Sequence, residues 1–376
     1  MRDELPGLLE WQRSGDPFAL ATVLATSRSA PRPAGAVLAV DTSGRVIGNV
    51  SGGCVEPAVV ELAQEVLFDG EPGRARFGYS DGEALSVGLT CGGEVEILVR
   101  RVDAHSLPLE PLAAAVASDV PAVLATVVDA PHEPALVGMS LVVTETGTHG
   151  DLAEGALGRA LALEARAALS IGGMTIRDLG PNGERMGTGV SVAFEVFAQR
   201  PRLIVLGAID YAAAVASMGR FLGFHVTVCD ARATFATPER FPDADEVVSE
   251  WPHRFLSRIE LGPESAVCVL THDPKFDIPA ITAALQTPAG YIGVMGSRRT
   301  HEDRLQRLRE AGIDESGIAR LRSPIGLDLG GRTPQETAVS IAAELLMLRH
   351  GATGRPLRET DGAIHPEGRL ERGDDR

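Results

Sequence analysis

The sequence is poor in aromatic residues, in cysteine and in long apolar runs. Phe, Trp and Tyr make up 4% of the 376 residues, so Ala, Val, Leu and Ile must build the core. The four cysteines form no C-x-x-C pair, which argues against a structural zinc site. No run of about 18 apolar residues is present, so we expect no transmembrane helix. The charged N-terminus lacks the apolar stretch of a signal peptide, so we expect a cytoplasmic protein with reduced thiols.

Positive charge is scarce as well. The chain has 35 Lys and Arg against 51 Asp and Glu, which gives a formal net charge of -16. A surface this acidic repels phosphate backbones, which argues against nucleic-acid binding. The hydrophobic share of 44% is that of a protein with a full core, and the length predicts two or three domains.

The first 200 residues contain two segments with the same order of patterns. Residues 1–105 predict a short amphipathic helix (5–14), buried strands and a second helix. Residues 106–200 resemble a degenerate copy without the cysteines. The matched pairs are 17–26 with 119–128, 35–44 with 138–147, 55–67 with 160–169, and 94–99 with 192–198. We therefore predict an α/β N-terminal region with an internal duplication; chance similarity of two βαβ-like segments is the alternative.

From residue 201 the pattern changes to strands that alternate with helices. Strands are predicted at 202–207, 224–230, 266–273 and 291–297, and a capped helix at 333–349. This alternation predicts a Rossmann-like, doubly wound parallel sheet over residues 201–350. Residues 351–376 are charged and lack aromatics, so we expect a disordered tail.

Two cysteines occur in glycine-rich turns. Cys54 follows Ser51, Gly52 and Gly53 and precedes Glu56 at a predicted helix start, where the helix dipole favours the thiolate that a nucleophile or soft-metal ligand needs. The glycines also allow a tight bend with exposed N–H groups. A second turn contains Cys91, Gly92 and Gly93. The alternative is that each cysteine is a small packing residue at a tight turn.

A partial dinucleotide fingerprint follows the first strand of the Rossmann region. Gly207 ends the strand, Ala212 closes the G-x-G-x-x-A pattern, and Asp230 is the acid some 20 residues later. Ile209 stands where the middle glycine lets the backbone approach the pyrophosphate. The pattern therefore predicts the fold but argues against tight NAD(P) binding.

A third candidate site combines a helix start with arginines. Gly296, Ser297 and Arg298, followed by Arg299, lie between a predicted strand and helix and could bind an anion. A solvated basic helix face is the alternative. The T-H-D sequence at 271–273 ends another strand, where doubly wound sheets bind ligands; local capping is equally consistent with it.

Several of these motifs together resemble the XdhC/CoxI family of xanthine dehydrogenase accessory proteins. S-A-P-R-P-A-G (29–35), G-N-V-S-G-G-C-V-E (48–56) and G-L-T-C-G-G-E-V-E (88–96) are similar to its N-terminal region. Residues 230–245, 291–299 and 323–345 are similar to its C-terminal Rossmann region. The resemblance runs in order over residues 15–350, and S-G-G-C-x-E and P-I-G-L-D are its specific motifs.

The resemblance implies a chaperone and not an enzyme. Such a protein binds the molybdenum cofactor (molybdopterin), protects it during sulfuration and delivers it to an apo molybdenum hydroxylase of the xanthine dehydrogenase type. It implies a homodimer that also meets a cysteine desulfurase or sulfurtransferase. By motif, the implied functional positions are Ser51, Gly52, Gly53, Cys54, Glu56 and the turn at 91–93, with Cys54 a possible ligand of the cofactor's metal.

Two other functions remain open from the residues. An NAD(P)-dependent oxidoreductase would use the Rossmann sheet and Asp230. A docking scaffold would bind the client enzyme without the cofactor, and Cys54 would then be structural.

Overall fold

The computed structural model describes residues 1–27, 32–78, 93–271 and 273–361. They form two units, Met1–Gln199 and Arg200–Asp361. No helix in these ranges is long and apolar enough to cross a membrane.

The first unit contains two five-stranded sheets with the same strand order. The first sheet runs β3-β2-β1-β5-β4 and the second β8-β7-β6-β10-β9, and all neighbouring strands whose pairing is resolved are antiparallel. The first half comprises α1 (Leu5–Ser14), β1 (Phe18–Ser27), β2 (Val37–Asp41), β3 (Val46–Gly48), α2 (Glu56–Asp69), β4 (Gly73–Phe77) and β5 (Glu94–Val102). The second comprises α3 (Leu109–Ala117), β6 (Ala122–Asp129), β7 (Ser140–Thr144), β8 (Thr148–His149), α4 (Gly155–Ala168), β9 (Met174–Leu179) and β10 (Val190–Phe197).

The two halves share an irregularity as well as an order. The β1–β5 register shifts across Leu24, and the β6–β10 register shifts across Val128. In both halves a glycine amide donates to the carbonyl oxygen of the strand residue just before the bulge: Gly35 to Val23, and Gly138 to Val127. β-Bulges are specific features of a strand pair and not random defects. The shared bulge is what a duplication would leave, and the duplication stays a prediction.

Alternation along the strands produces a layered arrangement inside this unit. Phe18 and Leu20 on β1 face Leu124 and Phe197 of the second sheet, whereas the intervening β1 residues pack on α2. The corresponding outer face of the second sheet packs on α4. The period of two along each strand therefore gives every central strand two apolar faces.

The second unit is a doubly wound sheet, as the sequence predicts. Its six strands are parallel in the order β13-β12-β11-β14-β15-β16, which is the 3-2-1-4-5-6 order of dinucleotide-binding folds. Helices α5 and α10 cover one face, and α6, α7 and α8 the other. The elements are β11 (Arg202–Leu206), α5 (Asp210–Phe221), β12 (His225–Asp230), β13 (Glu246–Ser249), α6 (Pro252–Arg258), β14 (Ala266–Val269), α7 (Pro274–Leu285), β15 (Tyr291–Val294), α8 (Arg298–Glu310), α9 (Glu315–Ala319), β16 (Leu321–Arg322) and α10 (Pro334–Arg349).

The sequence-based boundaries need two changes. Short strands such as β3, β8 and β16 carry too few residues for a visible alternation, and we did not expect them. Residues 351–361, which we expected to be disordered, include a 3-10 helix at Leu357–Glu359. The rest of the predicted tail lies outside the described residues.

Candidate functional site

The turn that contains Cys54 is held by two side chains. The Ser51 hydroxyl accepts hydrogen bonds from the amides of Cys54 and Val55, both at 3.0 Å. The Glu56 carboxylate, on the first residue of α2, accepts from the amides of Ser51 at 2.8 Å and Gly53 at 2.9 Å and from the Ser51 hydroxyl. Serine and glutamate thus satisfy the amide donors of the turn that leads into α2, whose N-cap residue Val55 has no capping side chain.

This network corrects one expectation from the sequence. The glycine amides do not point outward: Gly52 donates to the Asn49 side chain at 3.2 Å, and Gly53 to Glu56. Burial alone would raise the pKa of Glu56, but the hydrogen bonds from Ser51 and Gly53 hold it below its ordinary value. The Glu56 carboxylate therefore favours its charged form, and the Ser51 hydroxyl is bonded within the turn. Both side chains hold the turn in place, and their polar atoms do not reach toward a ligand.

Cys54 itself lies half-buried at the edge of the apolar cluster under α2. It is present as a thiol. Cys91 and Gly92 lie outside the described residues, and Gly93 is buried just before β5. Within the described ranges, no group of three or more His, Cys, Asp or Glu side chains is arranged to hold a metal ion. A metal at Cys54 would therefore need other ligands of its own, as a dithiolene-bound molybdenum has.

The matching turn of the second half is built differently. Gly48 and Gly150 begin the two turns, and a Cβ at either would lie 2.3 or 2.4 Å from a carbonyl oxygen of the neighbouring strand. Beyond this shared start, α4 approaches its loop so closely that a Cβ on Gly158 would lie 1.9 Å from the Leu152 oxygen. Direct packing thus takes the place of the Ser51–Glu56 network.

In the second unit, the residues of the partial fingerprint are bonded to one another. A Cβ on Gly207 would lie 2.9 Å from the Thr271 side chain, so this glycine allows β11 and β14 to end close together. The Asp230 carboxylate accepts from the Ala208 amide at 2.8 Å and from the Arg232 amide at 2.8 Å. It also forms a bidentate pair with the Arg232 guanidinium, at 2.9 and 2.7 Å.

These bonds leave Asp230 without a lone pair for a ribose hydroxyl. Both oxygens already accept two hydrogen bonds each. Burial raises the pKa of Asp230, but the bonds from Arg232 and Ala208 outweigh it and hold the pKa below its ordinary value. At the start of α5, Ile209 and the exposed carboxylate of Asp210 stand where a pyrophosphate would bind. The expectation that Gly207 and Asp230 bind a cofactor as a dinucleotide site does is therefore not supported by this geometry.

A crevice of about 220 Å³ nevertheless opens at the carboxyl ends of β11, β12 and β14. This is the topological switch point, because β11 has β12 on one side and β14 on the other. Its lining comprises Ile209, Asp230, Ala231, Arg232, Pro252, Leu270, Thr271, Asp273 and Phe276. Sequence reasoning identified Asp230 but missed Arg232, although its position two residues after the acid was a usable signal.

The third candidate site is a capped helix start. Ser297 caps α8 by accepting from the Thr300 amide at 3.1 Å, and Arg298 and Arg299 are exposed. Gly296 lies beside the buried guanidinium of Arg304, which bonds the Met295 oxygen at 2.9 Å and pairs with Asp277 at 3.2 Å. Arg304 therefore anchors this turn and does not belong to a solvated basic face.

Sequence reasoning also missed a group of charges in the first unit: Arg100, Glu195 and the N-terminal amino group, which lies 3.7 Å from the Glu195 carboxylate. Arg100 pairs with Leu20 across β1–β5, and Glu195 pairs with Leu124 across β6–β10, so they hold matching positions in the two halves. Arg100 bonds the Gly138 oxygen and the Ser140 hydroxyl of the second sheet. Burial lowers the pKa of Arg100 to about 10, partly offset by Glu195. Burial raises the pKa of Glu195 to about 7, against the attraction of nearby positive charges that include Arg100.

Two antiparallel sheets with the same strand order and a held turn around Cys54, followed by a Rossmann-type unit, define a class of protein that the comparisons identify. The family model described as "XdhC Rossmann domain" matches residues 203–345. The model described as "XdhC and CoxI family" matches residues 11–78 and 115–180, one stretch in each half of the first unit. This chain belongs to the XdhC/CoxI family.

Three proteins show the range of its relatives. The chain is 32% identical over 187 residues to the uncharacterized protein YqeB of Escherichia coli, and this match covers 50% of the chain but 34% of YqeB. It is 27% identical to a probable xanthine dehydrogenase subunit of Bacillus subtilis, over 92% of this chain and 96% of that protein. It is 25% identical to the molybdenum cofactor insertion chaperone PaoD of E. coli, over 89% of this chain and 85% of PaoD.

A solved structure supports the fold. The crystal structure of a xanthine dehydrogenase from Bacillus halodurans matches with a TM-score of 0.68, over 95% of this chain and 98% of that one. At 23% identity, this likeness concerns the fold alone.

Proposed function

We propose that this protein is a non-enzymatic accessory protein that binds the molybdenum cofactor as cargo. It protects the cofactor during sulfuration and delivers it to an apo molybdenum hydroxylase of the xanthine dehydrogenase type. Membership of the XdhC/CoxI family and the near full-length match to an insertion chaperone support this proposal. A cytoplasmic homodimer that meets a cysteine desulfurase is part of the same proposal, on the family resemblance.

The observation that carries the proposal is the held turn around Cys54. Ser51 and Glu56 fix its backbone through hydrogen bonds, while the second half of the unit keeps the same sheet without any counterpart. The scaffold therefore folds without this turn, and its retention in one half calls for another reason. A thiolate is a suitable ligand for molybdenum, and it is also the form of cysteine that takes part in persulfide chemistry.

The turn around Cys54 offers no backbone donors for a phosphate group. The amides of Gly52, Gly53 and Cys54 all donate within the turn, so they supply no anion cradle. The exposed guanidinium groups of Arg298 and Arg299 at the start of α8 are suitable donors to a phosphate. We propose that these arginines, with Gly296 and Ser297 shaping the turn, form an anion site within the second unit that is suited to a phosphate group.

The experiment is the purification of the full chain from cells that make molybdenum cofactor. We expect molybdenum and pterin fluorescence to co-elute with the protein, and the eluted protein to activate an apo hydroxylase in a purified system. Protein free of molybdenum and pterin that still stimulates the client would support the docking scaffold instead.

The oxidoreductase alternative has the strand order in its favour and the site geometry against it. Asp210 places a carboxylate at the start of α5, and Asp230 is saturated by Arg232 and Ala208. The first repels a pyrophosphate and the second cannot accept from a ribose.

A further inference from the structure

The lining of the switch-point crevice includes a side-chain donor, Arg232, and a side-chain acceptor, Asp273. The Nε and Nη2 atoms of Arg232 bond Asp230, so this pair leaves Nη1 unused, and the Arg232 side chain is 47% exposed. No acceptor among the described residues bonds Nη1. Asp273 also lines the crevice; one of its oxygens accepts from the Lys275 amide at 3.0 Å, which leaves the other to accept from a ligand.

The charges around the crevice balance. Asp230 and Asp273 in the lining carry negative charge and Arg232 carries positive charge, and the Lys275 ammonium lies nearby, 5.2 Å from the centroid of the Trp251 ring. A phosphate dianion would therefore gain little from this field, whereas an uncharged ligand with adjacent acceptor and donor atoms would match it. The rest of the lining is mostly apolar and includes Phe276. The centroid of its ring lies 5.1 Å from that of Trp251, with the two rings tilted.

The size of the crevice limits the ligand further. Its volume of about 220 Å³ is below the roughly 300–1,000 Å³ of pockets for drug-sized ligands. It therefore fits one flat bicyclic heterocycle and not a dinucleotide. Asp230 is saturated, so it cannot itself accept from a ribose diol.

We propose that this crevice binds the 2-amino-4-oxopyrimidine edge shared by pterins and guanine. The ring carbonyl accepts from Arg232, and the neighbouring ring N–H and amino group donate to Asp273. Adenine presents a donor where this edge has its carbonyl, so it faces Arg232 with the wrong sign. For pterins, this site rests on the proposed function, since it would hold the ring of the cargo, but its test requires neither molybdenum nor Cys54.

The test uses the intrinsic fluorescence of Trp251. The chain has two tryptophans, so Trp11→Phe leaves Trp251 as the single reporter beside the crevice. The full-length Trp11→Phe protein, made without molybdenum, is titrated with pterin, guanosine, adenosine and NAD. Pterin and guanosine should change the Trp251 signal saturably, and adenosine should bind at least about tenfold more weakly, because its amino group meets the Arg232 donor where the other two present an acceptor.

Variants separate binding from folding. Arg232→Met and Asp273→Asn should each weaken pterin and guanosine binding at least about tenfold. Because loss of Arg232 also strips Asp230 of its partner, Ala231→Leu is the second variant: it fills the crevice and leaves the Asp230–Arg232 pair intact. It should abolish binding with an unchanged melting temperature. Arg220→Gln, an exposed arginine on α5, is the matched control and should bind like the parent.

The outcomes divide clearly. Saturable binding of pterin alone identifies the cargo's ring as the ligand, and equal binding of guanosine identifies a general site for this edge; both support the proposal. Adenosine binding as tightly as guanosine, an undiminished Ala231→Leu variant, or no binding of either heterocycle overturns it. None of these results depends on molybdenum retention, so the proposed function is tested separately.

Discussion

At the scale of single residues, the three cysteines that the structure describes fall into two groups with opposite expected roles. Cys54 lies half-buried on a held turn, whereas Cys229 and Cys268 are fully buried in β12 and β14. Burial raises the pKa of both strand cysteines to about 12, so they remain protonated and unreactive.

Cys54→Ser should therefore reduce cofactor retention and leave folding intact. The change replaces one atom at a half-buried position, and we expect a stability loss within about 1 kcal/mol. Cys268→Ser, which puts a hydroxyl into an apolar strand, should do the reverse. Thermal melting and molybdenum content are measured on each purified variant. Parent-like loading and delivery by Cys54→Ser would reduce Cys54 to a packing residue.

Glu56 is expected to act by positioning and not by touching the cargo. Glu56→Ala leaves the Ser51 and Gly53 donors without an acceptor, which should cost about 1–2 kcal/mol in chemical denaturation. Because the pKa of Glu56 is lowered by folding, this contribution is present above its ordinary value and is lost as the pH falls below it. Glu61→Ala, an exposed glutamate on the same helix, is the control. Equal stability of the two variants would contradict the network's role.

At the scale of elements, long periodic segments could be predicted from the sequence and edges could not. The capping box at Thr333 and Glu336 was readable, and both of its bonds are present. The strand β16 has two residues and takes its structure from pairing with β15, which no local pattern encodes. The turn around Cys54 was located correctly, but the inward direction of its amides depends on Glu56 and not on the glycines alone.

Gly158 provides a test at this scale. Alanine normally favours a helix over glycine, yet a Cβ here would meet the Leu152 oxygen at 1.9 Å. Gly158→Ala should therefore destabilise the protein by about 1–3 kcal/mol through overpacking. Gly262→Ala, where a Cβ meets nothing within 4 Å, should be nearly neutral. Urea unfolding of the two variants decides; a neutral Gly158→Ala would mean that α4 can withdraw from its loop.

The layer between the two sheets should make stability depend on pH. The pKa of Glu195 is higher in the folded state than its ordinary value of 4.5, so folding is favoured by its protonation. Stability should fall as the pH rises from about 5 through 7. Glu195→Gln should raise the melting temperature at about pH 8 and change it little at about pH 5. A variant that is equally stabilised at both pH values would show that size or polarity, and not ionisation, is responsible.

At the scale of the whole molecule, the fold class was readable and the chemistry was only partly so. Alternating strands and helices predicted the second unit, and the repeated patterns predicted two similar halves in the first. The Asp230–Arg232 pair was missed although the two residues are close in sequence, whereas the placement of Arg100 and Glu195 between the sheets could not be predicted, because it depends on strand pairing.

The geometry of the second unit predicts that the 376-residue chain binds nicotinamide dinucleotides poorly. Ile209 and Asp210 occupy the pyrophosphate position, and Asp230 has no free lone pair. Calorimetric titration with NAD and with NADP should show no tight binding. A dissociation constant in the low micromolar range, about -8 kcal/mol, would instead favour the oxidoreductase function.

The close approach of α4 to its loop has a consequence for stoichiometry. With Gly158 pressed against the Leu152 oxygen, the second half has no space at that position for a carboxylate like that of Glu56, and it has no thiol to hold. The strand order occurs in both halves, but the turn with Cys54 occurs in the first half and not in the second. If the turn binds the cofactor, each chain loads one molecule and not two, and a quantitative molybdenum assay should level off at one atom per polypeptide.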